Sequence, residues 1–341
     1  MASERPGATD TVRVLIVKLS SLGDVVHTMP AVHDIRVAQP EARIDWVVEP
    51  AFAPLVRRVE GVSEVIECAQ RRWRQAWWSG SVRREYAAFR ERIKRESYDA
   101  IIDLQGLIKS AMVARLARGL RFGIGNATEG SSFEPMSRWL IDHPIPVERR
   151  IHAMDRARAV VAGVFRHPAE GAPVYGLHAQ QPAARYEQPT VVFAHGSSRD
   201  DKLWPVPMWI QLGKRFLGAG WRIALPQASE AEQTRAEMIA AALQFEKAPQ
   251  VEVWPSMGLA QVLDRLAGTQ SVVGVDSGLS HIAVALDLPH VQLYNHPTSW
   301  RTGPLPEHGH RHQVSVEGRP APTVDDVWSA WRRVYAARHG G

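Results

Sequence analysis

Nine short runs of apolar, largely β-branched residues recur along the chain, and helix-like stretches alternate with them. A strand followed by a crossover helix returns to its sheet in the same direction, so this alternation demands parallel sheets covered by helices. In the first half the strands read "VRVLIV", "RIDWVV", "EVIEC" and "DAIIDL". Between the last two, Val82, Tyr86, Phe89 and Ile93 fall on one helical face of a basic stretch. "GLIKSAMVARLARG" predicts a further helix ending at Gly119. The second half restarts with "TVVFAH", "WRIALP", "VEVW", "SVVGVD" and "HVQLY", separated by four helical patterns.

A chain of 341 residues exceeds one ordinary core, so two domains are expected. "RHPAEGAPVYGLHAQQPAARYEQP" lacks periodicity and is rich in Pro, Gly, Ala and Gln, which marks a linker. The division expected is residues 1–170, a linker at 171–189, residues 190–322, and a closing helix over 323–341. In that helix Thr323 is placed to cap and Asp325 and Asp326 lie in the first turn.

The net charge of +5 favours anionic partners: phosphates, an anionic membrane surface or nucleic acid. Cys68 is the single cysteine, which excludes an intrachain disulfide and suits a reducing compartment. The opening "MASERPGATDT" lacks the pattern of a signal peptide. No apolar run approaches the ~18 residues that span a bilayer, so membrane contact is expected to be peripheral.

Chemistry-bearing residues gather where strands end. After the first strand, "KLSSLGDVVHTMP" turns through Ser-Ser-x-Gly-Asp into a helix that carries Asp24 at its mouth and Pro30 inside. An N-terminal helix carboxylate is common, and the dipole there favours its ionised form. "GVDSGLSHIAVALD" ends a buried strand at Asp276, turns at Ser277-Gly278, and puts His281 in the first helical turn. Such a turn is either a plain Ser-capped start or an anion site. "AHGSSRDDKLWP" repeats the logic with Ser197, Ser198 and Lys202, either a polar loop or phosphate ligands. "QRRWRQAWWSGSVRRE" mixes Arg71, Arg72, Arg74, Arg83 and Arg84 with three tryptophans. It fits a basic amphipathic helix or an acceptor for carboxylate, phosphate and sugar. A Gly-rich dinucleotide loop, a P-loop, an Asp-x-Asp metal clip, zinc spacing and a Gly-x-Ser-x-Gly elbow are all missing. No nucleic-acid-binding motif accompanies the basic stretch.

Taken together, "VLIVKLSSLGDVVHTMPA", "IDWVVE", "RRWRQAW", "YDAIIDLQGLIKSA", "RDDKLWP" and "VDSGLSHIAVALDLP" resemble the lipopolysaccharide heptosyltransferase family. "RRWRQAW" and "DLQGLIKS" favour its type I members over type II, which share fold and donor. The resemblance implies an α/β protein of glycosyltransferase-B (GT-B) architecture, two Rossmann-like domains with parallel sheets facing across a cleft. It implies acceptor binding in the first domain, nucleotide-sugar binding in the second, and a C-terminal helix that packs back on the first. The implied reaction moves L-glycero-D-manno-heptose from ADP-heptose to the Kdo of Kdo-lipid A, with inversion. By position the family's catalytic aspartate matches Asp24. Its nucleotide-sugar residues match Ser197, Ser198, Lys202, Glu232, Met257, Asp276, Ser277, Gly278 and His281, with Glu230 competing for the Glu232 assignment. Lys18, Arg71, Arg72, Arg74, Gln105 and Lys109 fall on the acceptor side. No metal and no cofactor beyond the donor are implied, and no nucleic acid. The expected protein is a monomer at the cytoplasmic face of the inner membrane. Serines replace expected threonines at 197, 198 and 277, and "LYNHPTSW" departs from the family's Gly-Pro-Thr loop. A non-catalytic binder of anionic glycolipid would keep the Arg/Trp stretch without needing Asp24. A dehydrogenase or epimerase would need the missing dinucleotide loop.

Overall fold

The computed structural model describes residues 11–180, 188–244 and 250–339. The first sheet holds β1 (Arg13–Val17), β2 (Arg43–Val48), β3 (Val62–Glu67), β4 (Ser97–Asp103), β5 (Arg118–Ile124) and β6 (His143–Ile145). The second holds β7 (Thr190–Ala194), β8 (Arg222–Leu225), β9 (Val251–Val253), β10 (Ser271–Val275), β11 (His290–Tyr294) and β12 (Gln313–Glu317). Helices α1 (Leu22–Ala38), α2 (Ala53–Val56), α3 (Gln70–Gln75), α4 (Gly80–Lys94), α5 (Ile108–Leu116) and α6 (Ala153–Phe165) belong to the first half. The second carries α7 (Val206–Gly218), α8 (Glu230–Gln244), α9 (Leu259–Ala267), α10 (Gly278–Ala285), α11 (Ser299–Thr302) and α12 (Val324–His339).

Every pairing between these strands is parallel, in the order β3-β2-β1-β4-β5-β6 and β9-β8-β7-β10-β11-β12. The two orders are the same once the second sheet is counted from its own first strand. Each reverses direction beside its first strand, between β1 and β4 and between β7 and β10. Open α/β sheets bind ligands in the crevice beyond the strands' carboxyl ends at such a point. The Asp24 turn follows β1, the Gln105 stretch follows β4, the Ser197 turn follows β7 and the Asp276 turn follows β10. All four motifs therefore edge the two switch points.

Central strands are buried on both faces, which is why β1, β7, β10 and β11 read as continuous apolar runs. One face of the first sheet packs against α1 and α6, and Ile16, Met29, Ile35 and Val160 are fully buried there. That cluster runs on into the second domain through Val192 and Ile282. The other face is closed by α3, α4 and α5 around Trp73 and Phe89. A separate core under α7, α8 and α12 holds Phe193, Trp209, Phe216 and Trp331.

Three expectations change. The last helix does not return to the first domain: Val327, Ala330, Trp331 and Val334 are buried against β11, β12 and α7. Its tryptophan stripe matches Phe216 and Trp221 of its own domain, and Trp331 Nε1 donates to Ser271 Oγ at 2.9 Å. Thr323 does cap it, accepting the Asp326 amide at 3.2 Å. The helix after Gln105 stops at Leu116, and Gly119 sits inside β5 with φ of 143°. A side chain there would collide with the Tyr98 carbonyl, so glycine permits the strand pairing. The linker begins later than residue 171: Tyr175 and Leu177 are buried in the first domain, and Leu177 bridges to Val59. Residues 181–187 of that linker lie outside the described residues.

Candidate active site

A cleft between the domains has a volume of about 610 Å³. From the second domain, Ser197, Ser198, Lys202, Glu232, Met257, Asp276, Ser277, Gly278 and His281 all line it. These nine are the whole set assigned to a nucleotide sugar from the sequence. From the first domain, Ser21, Leu22, Gly23, Phe52 and Arg71 close it.

Asp276, buried at the end of β10, organises the polar side. Its carboxylate accepts Lys202 Nζ at 2.6 Å, His281 Nε2 at 3.2 Å and Thr302 Oγ1 at 3.3 Å. Burial alone would raise its pKa, yet the His281 hydrogen bond and the charge of Lys202 hold it well below the carboxylate range. Asp276 is thus a fixed anion that aims Lys202 and His281. Ser277 is the N-cap of α10, and the free amides of the first turn face the cleft behind it. Together, Lys202, those amides and the hydroxyls of Ser197 and Ser198 form a site for an anion. Glu232, in the first turn of α8, accepts the Ala228 amide at 2.7 Å and packs against Gly196. Glu230 is not among the cleft residues. Met257, Leu259, Val262 and Phe52 supply an apolar end.

Across the cleft, α1 begins at Ser21. Asp24 Oδ2 accepts the Ser21 amide at 3.1 Å and its hydroxyl at 2.8 Å, one arm of a capping box. Its side chain keeps 40% of its surface exposed, and Lys18 Nζ stands 3.9 Å away. Burial pushes the Asp24 carboxyl up, but the Lys18 charge and both Ser21 hydrogen bonds outweigh it and leave the pKa lowered. Asp24 is therefore an accessible carboxylate at neutral pH. The starts of α1 and α10 abut: a Cβ on Gly23 would come within 2.6 Å of His281, and one on Gly278 would strike Leu22. Two glycines so let the first turn of α1 abut the anion site of the other domain; Ser21, Leu22 and Gly23 line the cleft, and Asp24 follows directly on them without being among the lining residues.

The acceptor-side residues divide. Lys18 is buried, donates to the Leu104 carbonyl at 3.1 Å, and has its pKa lowered by that burial. It stands behind Asp24 as a counter-charge. Gln105 is buried too, and its Oε1 accepts the Leu19 amide at 2.8 Å, which fixes the loop before Asp24. Asp103 anchors the loop after β4 that carries Gln105, through the amides of Gln105 and Gly106, and burial pushes its carboxyl up to about 6. The "RRWRQ" arginines lie on α3, a six-residue helix on which Arg71 and Arg74 share a face and Arg72 points away from them. Arg71 lines the cleft, Arg74 faces a neighbouring cavity with Lys109, and Arg72 pairs with Glu85. The structure does not bring Arg72 to the cleft.

Sequence reasoning missed His27, one turn after Asp24 on α1. It is buried with both ring nitrogens unpartnered, its ring centroid is 4.4 Å from that of His281, and burial depresses its pKa. The i,i+3 spacing from Asp24 was the available signal.

The family model for glycosyltransferase family 9 (heptosyltransferase) matches residues 86–326. The chain belongs to glycosyltransferase family 9. Within that family it is 40% identical to lipopolysaccharide heptosyltransferase 1 of Escherichia coli K12, covering 83% of this chain and 87% of that one. Identity to lipopolysaccharide heptosyltransferase 2 of the same strain falls to 27%, over 86% and 85%. Among solved structures, E. coli heptosyltransferase WaaC with ADP-2-deoxy-2-fluoro heptose superposes with a TM-score of 0.77 at 34% identity, covering 96% of this chain and 98% of that one. The paired sheets are accordingly the GT-B architecture of a family 9 glycosyltransferase.

Proposed function

We propose that this glycosyltransferase moves L-glycero-D-manno-heptose from ADP-heptose to the Kdo sugar of Kdo-lipid A in inner-core synthesis. The carrying observation is the cleft that unites all nine donor-side residues and sets Ser21, Leu22 and Gly23, the turn that leads directly into Asp24, against them. ADP would lie with its diphosphate on Lys202, Ser197, Ser198 and the α10 amides, its ribose toward Glu232 and its adenine near Met257. Asp24 accepts the proton of the acceptor hydroxyl as that oxygen bonds to the anomeric carbon. The bond from that carbon to the β-phosphate oxygen breaks on the opposite face, and its electron pair leaves with ADP. Attack opposite to departure inverts the anomeric centre. Charge growing on ADP meets fixed donors that need no rearrangement. The higher identity to type 1 than to type 2 relatives supports Kdo as the acceptor. Because that acceptor is a lipid, peripheral association with the cytoplasmic face of the inner membrane belongs to the same reading. No helix among the described residues is long and apolar enough to cross a membrane.

The test is ADP release from ADP-heptose with Kdo-lipid A, run with and without EDTA. Turnover that survives chelation is expected, with ADP bound in preference to UDP. No transfer to Kdo, but transfer to an acceptor already carrying heptose, would move the chain to type II. Loss of all ADP binding on chelation would place a metal in the donor site.

A further inference from the structure

A glycolipid presents sugar, phosphate and acyl chains in that order, and three hollows, the interdomain cleft and two on the first domain, follow in a matching order. Arg71 lines the interdomain cleft beside Ser21 and Gly23. It also borders a second hollow of about 270 Å³ with Arg74 and Gln75. Arg74 in turn borders a third cavity of about 380 Å³ between α3, α4 and α5. Arg71 borders the first two hollows and Arg74 the last two, so the three follow one another along α3 from the vicinity of Asp24 to the third cavity.

That last cavity has a different chemistry. Its walls include Trp73, Trp77, Tyr86, Phe89, Met112 and Leu116, while Gln70, Arg74 and Lys109 stand with them as polar groups. Its size falls in the range of small-molecule sites. Trp77 and Met112 are 48% and 58% exposed, in a domain whose sheet faces are otherwise covered. Trp73 is buried, and its Nε1–H has no partner. Apolar surface left open beside Arg74 and Lys109 suits an anionic amphiphile better than a protein segment.

Resting on the function proposed above, we infer that this cavity holds an acyl chain of the acceptor glycolipid itself. The phosphate of the same molecule lies between Arg71 and Arg74, and the sugar reaches Asp24. The lipid then contributes directly to acceptor affinity and sets the register of the sugar in the cleft.

The experiment compares Kdo-lipid A with the same molecule stripped of its fatty acids, at fixed detergent, in wild type, Met112→Glu and Trp77→Ala. Met112 and Trp77 are exposed, so both variants are expected to fold. Wild type should show a KM at least tenfold lower for the acylated acceptor. Both variants should lose that advantage and stay within twofold of wild type on the deacylated acceptor. Equal KM values for the two acceptors in wild type, with turnover intact, overturn the inference and leave the function standing. Turnover of neither acceptor strikes the function instead. Quenching of tryptophan fluorescence by a bromine-labelled acyl chain on the same glycolipid then decides the cavity alone: quenching reduced in Trp77→Phe supports it, and no quenching overturns it. Vesicles of phosphatidylglycerol and phosphatidylethanolamine without acceptor give a further check. Weaker vesicle binding by Met112→Glu, or a dimer of wild type that this variant dissolves, would assign the cavity to the bilayer or to a second copy and overturn the inference.

Discussion

Asp24 owes its ionised state to three neighbours, Lys18 and the two groups of Ser21, and not to a helix dipole alone. Asp24→Asn keeps the shape and the Ser21 contacts but removes the basic lone pair. Turnover should fall by roughly 10²–10⁴, the scale of a lost general base, while calorimetric ADP affinity stays within twofold. Near-normal turnover in the variant removes Asp24 from the mechanism. The pH dependence follows from the sign of the shift. A carboxylate with a depressed pKa is fully ionised at neutral pH and is lost only as pH falls through the depressed value. The acid limb of kcat/KM assignable to Asp24 therefore lies below the ordinary value of 3.8. A limb near 6 that disappears in Asp103→Asn would assign the titration to Asp103 instead, whose carboxyl burial pushes up to about 6.

Elements were legible where one physical signal dominated. β1, β2, β4, β7, β10 and β11 are short β-branched runs because helices cover both their faces. Strand β5, "RGLRFGI", escaped because Arg118, Arg121 and two glycines break the apolar pattern at a half-exposed place in the sheet. Helix α6 was also missed, since its cap is His152, whose Nδ1 accepts the Met154 amide at 3.2 Å, and not a Ser, Thr, Asp or Asn. The docking of α12 departs from what the family resemblance implies, and the helix's own apolar stripe could not correct that, because a stripe names no partner. Its test is Trp331→Ala, which deletes a ring wedged among Phe216, Trp221 and Trp328. A loss of about 3–5 kcal/mol is expected for an aromatic removed from a core, read by denaturant unfolding. A loss under about 1 kcal/mol would mean that the helix is peripheral to that core. For α3, the helical turn that sends Arg71 and Arg72 apart makes a sharper forecast than the basic stretch could. Arg71→Ala and Arg74→Ala should each raise the acceptor KM severalfold or more, with the ADP-heptose KM little changed. Arg72→Ala, losing an exposed pair with Glu85, should change it less than twofold. Steady-state kinetics varying one substrate at a time checks all three, and a large Arg72 effect would refute this division.

At the scale of the whole molecule, the Ser197 and Asp276 turns of the donor site could be read as motifs because they follow strand ends, while Glu232 and Met257 came only through the family resemblance. The contacts that set one domain against the other could not be read, since the partners are far apart in sequence. Arg58, just after α2, and Asp264 on α9 meet across the interface, with Nη1–Oδ1 at 2.5 Å and Nη2–Oδ2 at 2.9 Å. His152 carries its proton on Nε2, because Nδ1 accepts an amide, and donates it to the Gly303 carbonyl at 3.1 Å. His308 meets Asp155 at 2.8 Å on the same side. These contacts hold the starts of α1 and α10 together, so their loss is felt as misplacement of Asp24 relative to the donor. The Arg58 pair is the one to test, being bidentate and mostly shielded from water. Each hydrogen bond to a charged group contributes about 1.5–3 kcal/mol, enough to move an open–closed equilibrium roughly 10–100-fold at 1.4 kcal/mol per factor of ten. Arg58→Ala should raise the KM of both substrates together, because both domains' sites depend on closure. Its radius of gyration in solution scattering should exceed that of wild type without ligand and return toward it at saturating ADP. Arg58→Lys, which keeps the charge but not the bidentate geometry, should fall between them. Unchanged scattering with unchanged KM values would show that the helix contact alone holds the domains closed.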